Sequence, residues 1–80
     1  MELGRIKTVA ETLEEGIAGA VNKHKLARSK ISERIEEIMV ESAIILNESD
    51  STPQTRTTAA EIIMAAAVAE KNLIARFNRR

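Results

Sequence analysis

One apolar stripe, unbroken in helical phase over more than half the chain, limits what this sequence can fold into. No proline precedes Pro53 and no glycine follows Gly19. The pattern favours one helix over residues 2–48, about 70 Å long. At about 100° per residue the members of the stripe share an arc of about 120°, and they are Leu3, Ile6, Val9, Ala10, Leu13, Ile17, Ala20, Val21, Ala27, Ile31, Ile35, Ile38, Met39, Ile45 and Leu46.

The weakest part of this long helix is the polar segment 22–28. Asn22 is suited to the residue just after a helix, the basic residues that follow it suit a last turn, and Ser29 or Ser32 could cap a new helix. A break there would give three helices of similar length, at about 2–21, 29–48 and 58–79, and hence a three-helix bundle. The preserved phase argues for the continuous helix, so both all-α folds stay open.

A polar, proline-containing segment separates the stripe from a second helix. Residues 49–57 contain the only proline and read as a loop. Thr58 and Glu61 match the S/T-x-x-E capping box, which predicts a helix over about 58–79. The sequence therefore predicts a single all-helical domain over residues 1–80, with a long helix and a shorter antiparallel return helix forming a helical hairpin.

The two helices of this hairpin differ in length, and the difference predicts self-association. A return helix of about 31 Å covers only residues 27–48 of the first helix. The stripe before residue 22 would then face water, which soluble monomers rarely allow. We expect a homo-oligomer or filament to bury it, through an interface comprising Leu3, Ile6, Val9, Leu13, Ile17, Ala20 and Val21.

The return helix supports the same expectation. Residues 59–69 are apolar on every face except at Glu61, and a helix that is apolar all round is buried all round. One antiparallel neighbour cannot cover it, but several neighbours in a bundle or polymer can. Its packing residues are predicted to be Ile63, Ala66, Ala67, Leu73, Ile74 and Phe77.

Three polar residues interrupt the apolar stripes. His24 and Arg28 lie in the first stripe, and Glu70 lies near the middle of the second. Buried charge is costly unless it is paired, and such residues often determine register in helical assemblies. One interpretation is a contact between subunits that joins Glu70 to Arg28 or His24. The other is that all three side chains reach solvent at the edge of the core.

Composition argues against several classes of protein. The chain has no cysteine, one histidine and no glycine-rich phosphate loop, so no metal, cofactor or catalytic residue is predicted. It has 12 basic and 12 acidic residues, and this balance argues against a whole-chain polyanion binder. Neither a signal peptide nor a membrane-spanning segment is visible. We therefore expect a cytoplasmic location, or assembly or export without a cleaved signal.

The functional prediction is a non-enzymatic structural protein that acts through protein–protein contacts, with itself as the first expected partner. One alternative is a small helical adaptor, chaperone or inhibitor that binds another helical protein. A second is a nucleic-acid-associated regulator that uses the basic segment 23–34, but Glu37 and Glu41 continue the same helix face and disfavour it.

Overall fold

The residues that the structure describes form three α-helices. A computed structural model describes residues 3–23 and 26–78, with α1 at Leu3–Asn22, α2 at Ile31–Asn47 and α3 at Pro53–Asn78. One turn of 3-10 helix, Arg28–Lys30, precedes α2, and the described residues contain no strand. The all-α prediction is confirmed. The predicted helix ends at residues 2 and 79, and the candidate His24, lie outside the described residues.

The prediction of one continuous helix over residues 2–48 is wrong. The first helix ends at Asn22, and the backbone is extended at Ala27, with φ −68° and ψ 142°. The alternative with a break near 22–28 has the correct number of helices. The physical reason is burial: the break lets α1 fold back so that Ile6, Ile17 and Val21 enter the core. Each such side chain contributes about 1.5 kcal/mol or more, which an extended α1 would forgo.

Helix α3 lies between the other two helices. It contacts both α1 and α2, whereas α1 and α2 contact each other little. The short connection at residues 48–52 makes α2 antiparallel to α3. Two polar contacts show that α1 runs parallel to α3, because Arg5 pairs with Glu61 and Glu14 accepts a hydrogen bond from Asn72. The fold is thus an up-down-up arrangement centred on α3.

Small residues on α3 allow its two neighbours to pack closely. Ala65, Ala66 and Ala69 are fully buried in the core cluster, so the side chains of both flanking helices reach the α3 backbone. The largest fully buried side chains are Ile35 of α2 and Leu73 of α3. The alanine-rich sequence that suggested burial by other subunits is therefore partly explained within one chain.

Helix α3 begins five residues earlier than predicted, so the loop at 49–57 and the helix start at Thr58 are wrong. Pro53 is the first helical residue, a position where its missing N–H costs nothing. Thr52 caps the helix: its Oγ1 accepts a bond from the Thr55 backbone N–H (3.1 Å), and the Thr52 hydroxyl donates to Thr55 Oγ1 (2.9 Å). Glu61 lies inside the helix and serves another purpose, described below.

The position of this cap predicts how two threonines respond to the same substitution. Thr52→Ala removes the acceptor for the Thr55 N–H and should lower the free energy of unfolding by about 1 kcal/mol. Thr58→Ala should leave it unchanged or raise it slightly, because alanine is the better residue in a helix interior. Urea denaturation followed by circular dichroism measures both. An equal or larger loss for Thr58→Ala would contradict the helix start at Pro53.

Candidate interaction surface

The predicted self-association residues of α1 are mostly covered by the chain itself. Ile6, Ile17 and Val21 are buried, and the remaining described members are partly buried: Val9, Leu13 and Ala20. The side chain of Leu3 lies outside the described part of the chain. Because α1 packs on α3 within one chain, most of the stripe no longer requires a second chain to keep it from water.

Part of the α1 stripe nevertheless lines an open groove between α1 and α2. Its volume is about 460 Å³. The groove exists because both helices pack on α3 rather than on each other. It is mainly apolar, with Arg34 and Thr12 at its polar positions, and its apolar lining comprises Leu13, Gly16, Ile17, Ala20, Leu26 and Ile38.

The predicted packing residues of α3 divide into two groups. Ala66 and Leu73 are fully buried, and Ile63 and Phe77 are partly buried. Ala67 and Ile74 are exposed instead. The two flanking helices therefore cover two sides of α3 and leave a third side open.

This open side of α3 continues onto α2. The polar contacts with α1 come from Glu61 and Asn72 on one side of α3, and residues at helical spacing on the opposite side point away from α1. On α2, Arg34 and Ile38 face the groove with α1, so the opposite flank of α2 joins the open side of α3. We call this surface the α2–α3 face. Its residues are Glu36, Met39 and Ala43 of α2 and Ala60, Ile63, Met64, Ala67, Glu70, Lys71 and Ile74 of α3.

The α2–α3 face is mainly apolar and partly open to solvent. Met64 is 45% exposed and Ile74 is 38% exposed, and Ala67 is also exposed. Met39, Ala43, Ala60 and Ile63 are partly buried. Single exposed apolar residues are common, but several of them on one side of a helix favour an interaction site. Sequence reasoning missed this face because its location depends on which sides of α3 the neighbours cover.

A second feature that sequence reasoning missed is a buried acid on α3. The Glu61 side chain is only 5% exposed, and one of its carboxylate oxygens lies 3.3 Å from Arg5 Nε. The Arg5 side chain, by contrast, is 60% exposed. The pair joins the first turn of α1 to α3 and compensates a charge that would otherwise be costly to bury.

This pair predicts an unequal response to the loss of two arginines. Arg5→Ala leaves the Glu61 carboxylate buried without its partner and should lower the free energy of unfolding by about 1–2 kcal/mol. Arg34→Ala removes a pair with Glu37 in which both side chains are about half exposed, so its cost should stay below about 0.5 kcal/mol. Urea denaturation measures both values.

A second substitution separates the lost charge pair from the lost packing of the Arg5 side chain. Glu61→Met in the Arg5→Ala background replaces the unpaired carboxylate with an apolar side chain of similar size. It should restore most of the lost stability, since apolar replacement of a buried ion pair is often neutral or better. If the double variant is no more stable than Arg5→Ala alone, the buried carboxylate is not the cause.

The predicted register residues are not brought together in the part of the chain that is described. The guanidinium of Arg28 lies over the Phe77 ring, 5.4 Å from its centroid, and that of Arg76 lies 5.5 Å from the same centroid. These are cation–π distances. Glu70 is partly buried and forms no ion pair with any described residue. The pairing of Glu70 across subunits stays a prediction.

Within residues 3–23 and 26–78, no three potential metal ligands of the His, Cys, Asp or Glu type lie together. None of the described helices is long and apolar enough to cross a membrane. No protein-family model, curated protein or solved structure matches the chain. The arguments about function therefore rest on the surfaces described above.

Proposed function

We propose that this protein acts through protein–protein contact, as a homo-oligomer whose subunits associate through the α2–α3 face. The observation that carries the proposal is the exposure of Met64, Ala67 and Ile74 on one side of the central helix. Burying such side chains is the main driving force of association. A second copy of the chain is the simplest partner, because symmetric homo-oligomers are the commonest assemblies of soluble proteins.

The subunit in this proposal is a helical bundle, and its interface differs from the interface that the α1 stripe suggests. The groove between α1 and α2 offers fewer exposed apolar side chains, since most of its lining is buried or partly buried. The α2–α3 face instead exposes the large side chains of Met64 and Ile74 on α3, beside the partly buried Met39 of the antiparallel α2. Two such faces pack together as a four-helix bundle, which is a common solution for amphipathic helix pairs.

The charges of segment 23–34 favour protein contact over nucleic-acid binding. Lys30 pairs with Glu33 at 3.1 Å and Arg34 pairs with Glu37 at 3.0 Å. Two of the cations that would be offered to phosphates are thus already paired with neighbouring acids of α2. Phosphate binding relies on cations that are free to replace condensed counterions.

The oligomeric state of the full chain tests this proposal. Sedimentation equilibrium or light scattering over a concentration series from about 1 to 200 μM should give a mass above that of the monomer, approaching twice that mass at the high end for a dimer. A mass of 8.8 kDa at every concentration would refute self-association. The α1–α2 groove would then become the leading site, with another protein as its ligand.

A further inference from the structure

The basic residues of the chain are unevenly distributed. Seven of the 12 lie in segments 22–30 and 72–80, which contain none of the 12 acidic residues. The first segment connects α1 to α2, and the second includes the end of α3. Four of these cations belong to the described part of the chain, and the other three lie outside it. The described cations are Lys23, Arg28, Lys30 and Arg76.

The fold brings the two segments together at one end of the bundle. Because α1 runs parallel to α3, both helices end there, and the connection to α2 lies at the same end. The guanidinium of Arg28 lies 5.4 Å from the centroid of the Phe77 ring, and that of Arg76 lies 5.5 Å from it. We call the described surface of residues 22–30 and 72–78 the basic end.

The basic end keeps a net positive charge. Of its described cations only Lys30 forms an ion pair with a described residue, with Glu33 at 3.1 Å. The other acid that borders the basic end in the sequence, Glu70, is partly buried. The dipoles of two helix C-termini and one helix N-terminus add about −0.5 elementary charge there. The seven cations of the two segments therefore outnumber the negative charges beside them.

The shape of the basic end favours one kind of polyanion. The two shorter dimensions of the bundle are 23 and 16 Å, which exceed the width of about 12 Å of the major groove of DNA. The Phe77 ring already contacts two guanidinium groups, so it is poorly placed to stack on nucleic-acid bases. A membrane surface has no groove to enter and requires only that several cations reach one plane.

Apolar residues lie among these cations. Ala27 is exposed, and Leu26 and Phe77 are partly buried. Lys and Arg beside Leu and Phe form the usual composition of a surface that rests at the boundary between lipid headgroups and acyl chains. The basic end therefore combines electrostatic attraction to anionic lipids with apolar side chains at the same place.

We infer that the basic end docks on a membrane surface that carries anionic lipid headgroups, with Lys23, Arg28 and Arg76 facing the headgroups. The helices then extend away from the membrane, because the contact lies at their ends. This inference goes beyond the proposed self-association and does not depend on it, since it rests on charge at the end of the bundle rather than on the apolar side of α3.

Flotation of the full chain with lipid vesicles tests this inference. Vesicles of phosphatidylcholine with about 30% phosphatidylserine should bind the chain at least about tenfold more tightly than vesicles of phosphatidylcholine alone, at about 0.1 M salt. Arg28→Gln/Arg76→Gln should lower the partition coefficient by about 25-fold, since one cation near an anionic surface contributes about fivefold. Lys23→Gln, whose side chain forms no ion pair with a described residue, should lower it by about fivefold.

Lys7→Gln/Arg56→Gln serves as the matched control. It removes the same charge from two exposed residues near the starts of α1 and α3, at the opposite end of the bundle. The partition coefficient should change by less than about threefold, because these residues lie more than a Debye length of about 10 Å from the membrane. Circular dichroism should show the same helicity for all variants, which excludes unfolding as the cause of any loss.

Three results would overturn the inference. One is equal binding of the original chain to anionic and neutral vesicles, and another is a loss in the control as large as that in Arg28→Gln/Arg76→Gln. The third is binding to a DNA duplex that is tighter than binding to the anionic vesicles at the same salt, which would make nucleic acid the partner. A chain that is monomeric in solution would refute the proposed self-association and leave this inference standing.

Discussion

Met64→Glu should convert the oligomer to monomers without unfolding the chain. The Met64 side chain is 45% exposed in one subunit, so a glutamate there remains hydrated while the subunit is alone. In the associated state the same carboxylate would be buried against apolar side chains without a partner. We expect the dissociation constant to rise at least about 30-fold, which corresponds to about 2 kcal/mol. Sedimentation equilibrium measures the constant, and circular dichroism verifies that the helices remain.

Ile44→Glu provides the control for this experiment. Ile44 is 56% exposed and lies two residues after the buried Ser42, on the side of α2 that faces away from α3 and outside the α2–α3 face. The Ile44→Glu substitution makes the same kind of change as Met64→Glu, from an exposed apolar side chain to a carboxylate, but on a different surface. Its dissociation constant should change less than threefold. If Ile44→Glu disrupts the oligomer and Met64→Glu does not, the interface lies on the outer side of α2.

Ala27→Pro should be tolerated, whereas Glu15→Pro should unfold most of the chain. Ala27 already has a φ of −68°, the value that the proline ring imposes. Within the described residues its backbone N–H donates no hydrogen bond outside the regular helices. We therefore expect Ala27→Pro to change the free energy of unfolding of the protein by less than about 1 kcal/mol. Glu15 lies in the interior of α1, where proline removes a backbone hydrogen bond and costs about 3 kcal/mol or more.

Thermal and urea denaturation of the two proline variants tests the break between α1 and α2 directly. Glu15 and Ala27 are both exposed, so the comparison concerns the backbone rather than lost packing. In a continuous helix both positions would be helix interiors, and both substitutions would be similarly damaging. Equal, large losses of stability in both variants would thus support the continuous long helix. Tolerance of proline at Ala27 alone would support the three-helix structure.

Local sequence patterns predict the helical class and the reversal near Pro53, but they leave the break before α2 as one of two open alternatives. Apolar spacing and the polar segment before Pro53 are local signals, and the structure has helices on both sides of that segment. The break at residues 23–30 has no glycine or proline to mark it. It follows from the burial of Ile6, Ile17 and Val21 against distant residues, a tertiary effect that overrides local helix preference.

The start of α3 shows how two local motifs can compete. Thr58 and Glu61 match a capping box, and Thr52 and Pro53 match a cap followed by a first-turn proline. The structure uses the second motif, and Glu61 pairs with Arg5 instead. No local rule reveals that pairing, because the two residues are brought together only when α1 docks on α3.

The proposed interaction surface is predictable from the sequence only in outline. The all-round apolar sequence of α3 predicts that one neighbour cannot cover it; two helices flank it within the chain, and Met64, Val68 and Ile74 remain exposed. The particular side that stays open depends on how the neighbours divide the helix between them. Ala67 and Ile74 lie on the open side, whereas Ala66 and Leu73, each one position earlier, are fully buried.

The parallel placement of α1 beside α3 has a consequence for the order in which the chain folds. A five-residue connection joins α2 to α3, so their pairing closes only a short loop. The contact between Glu14 and Asn72 joins residues 58 positions apart, and closing that loop costs more entropy in an unfolded chain. If the α2–α3 hairpin forms first, it shortens the effective loop and supplies the surface on which α1 docks. Helix α1, although it precedes α2 and α3 in the chain, is thus expected to be the last to join the folded structure.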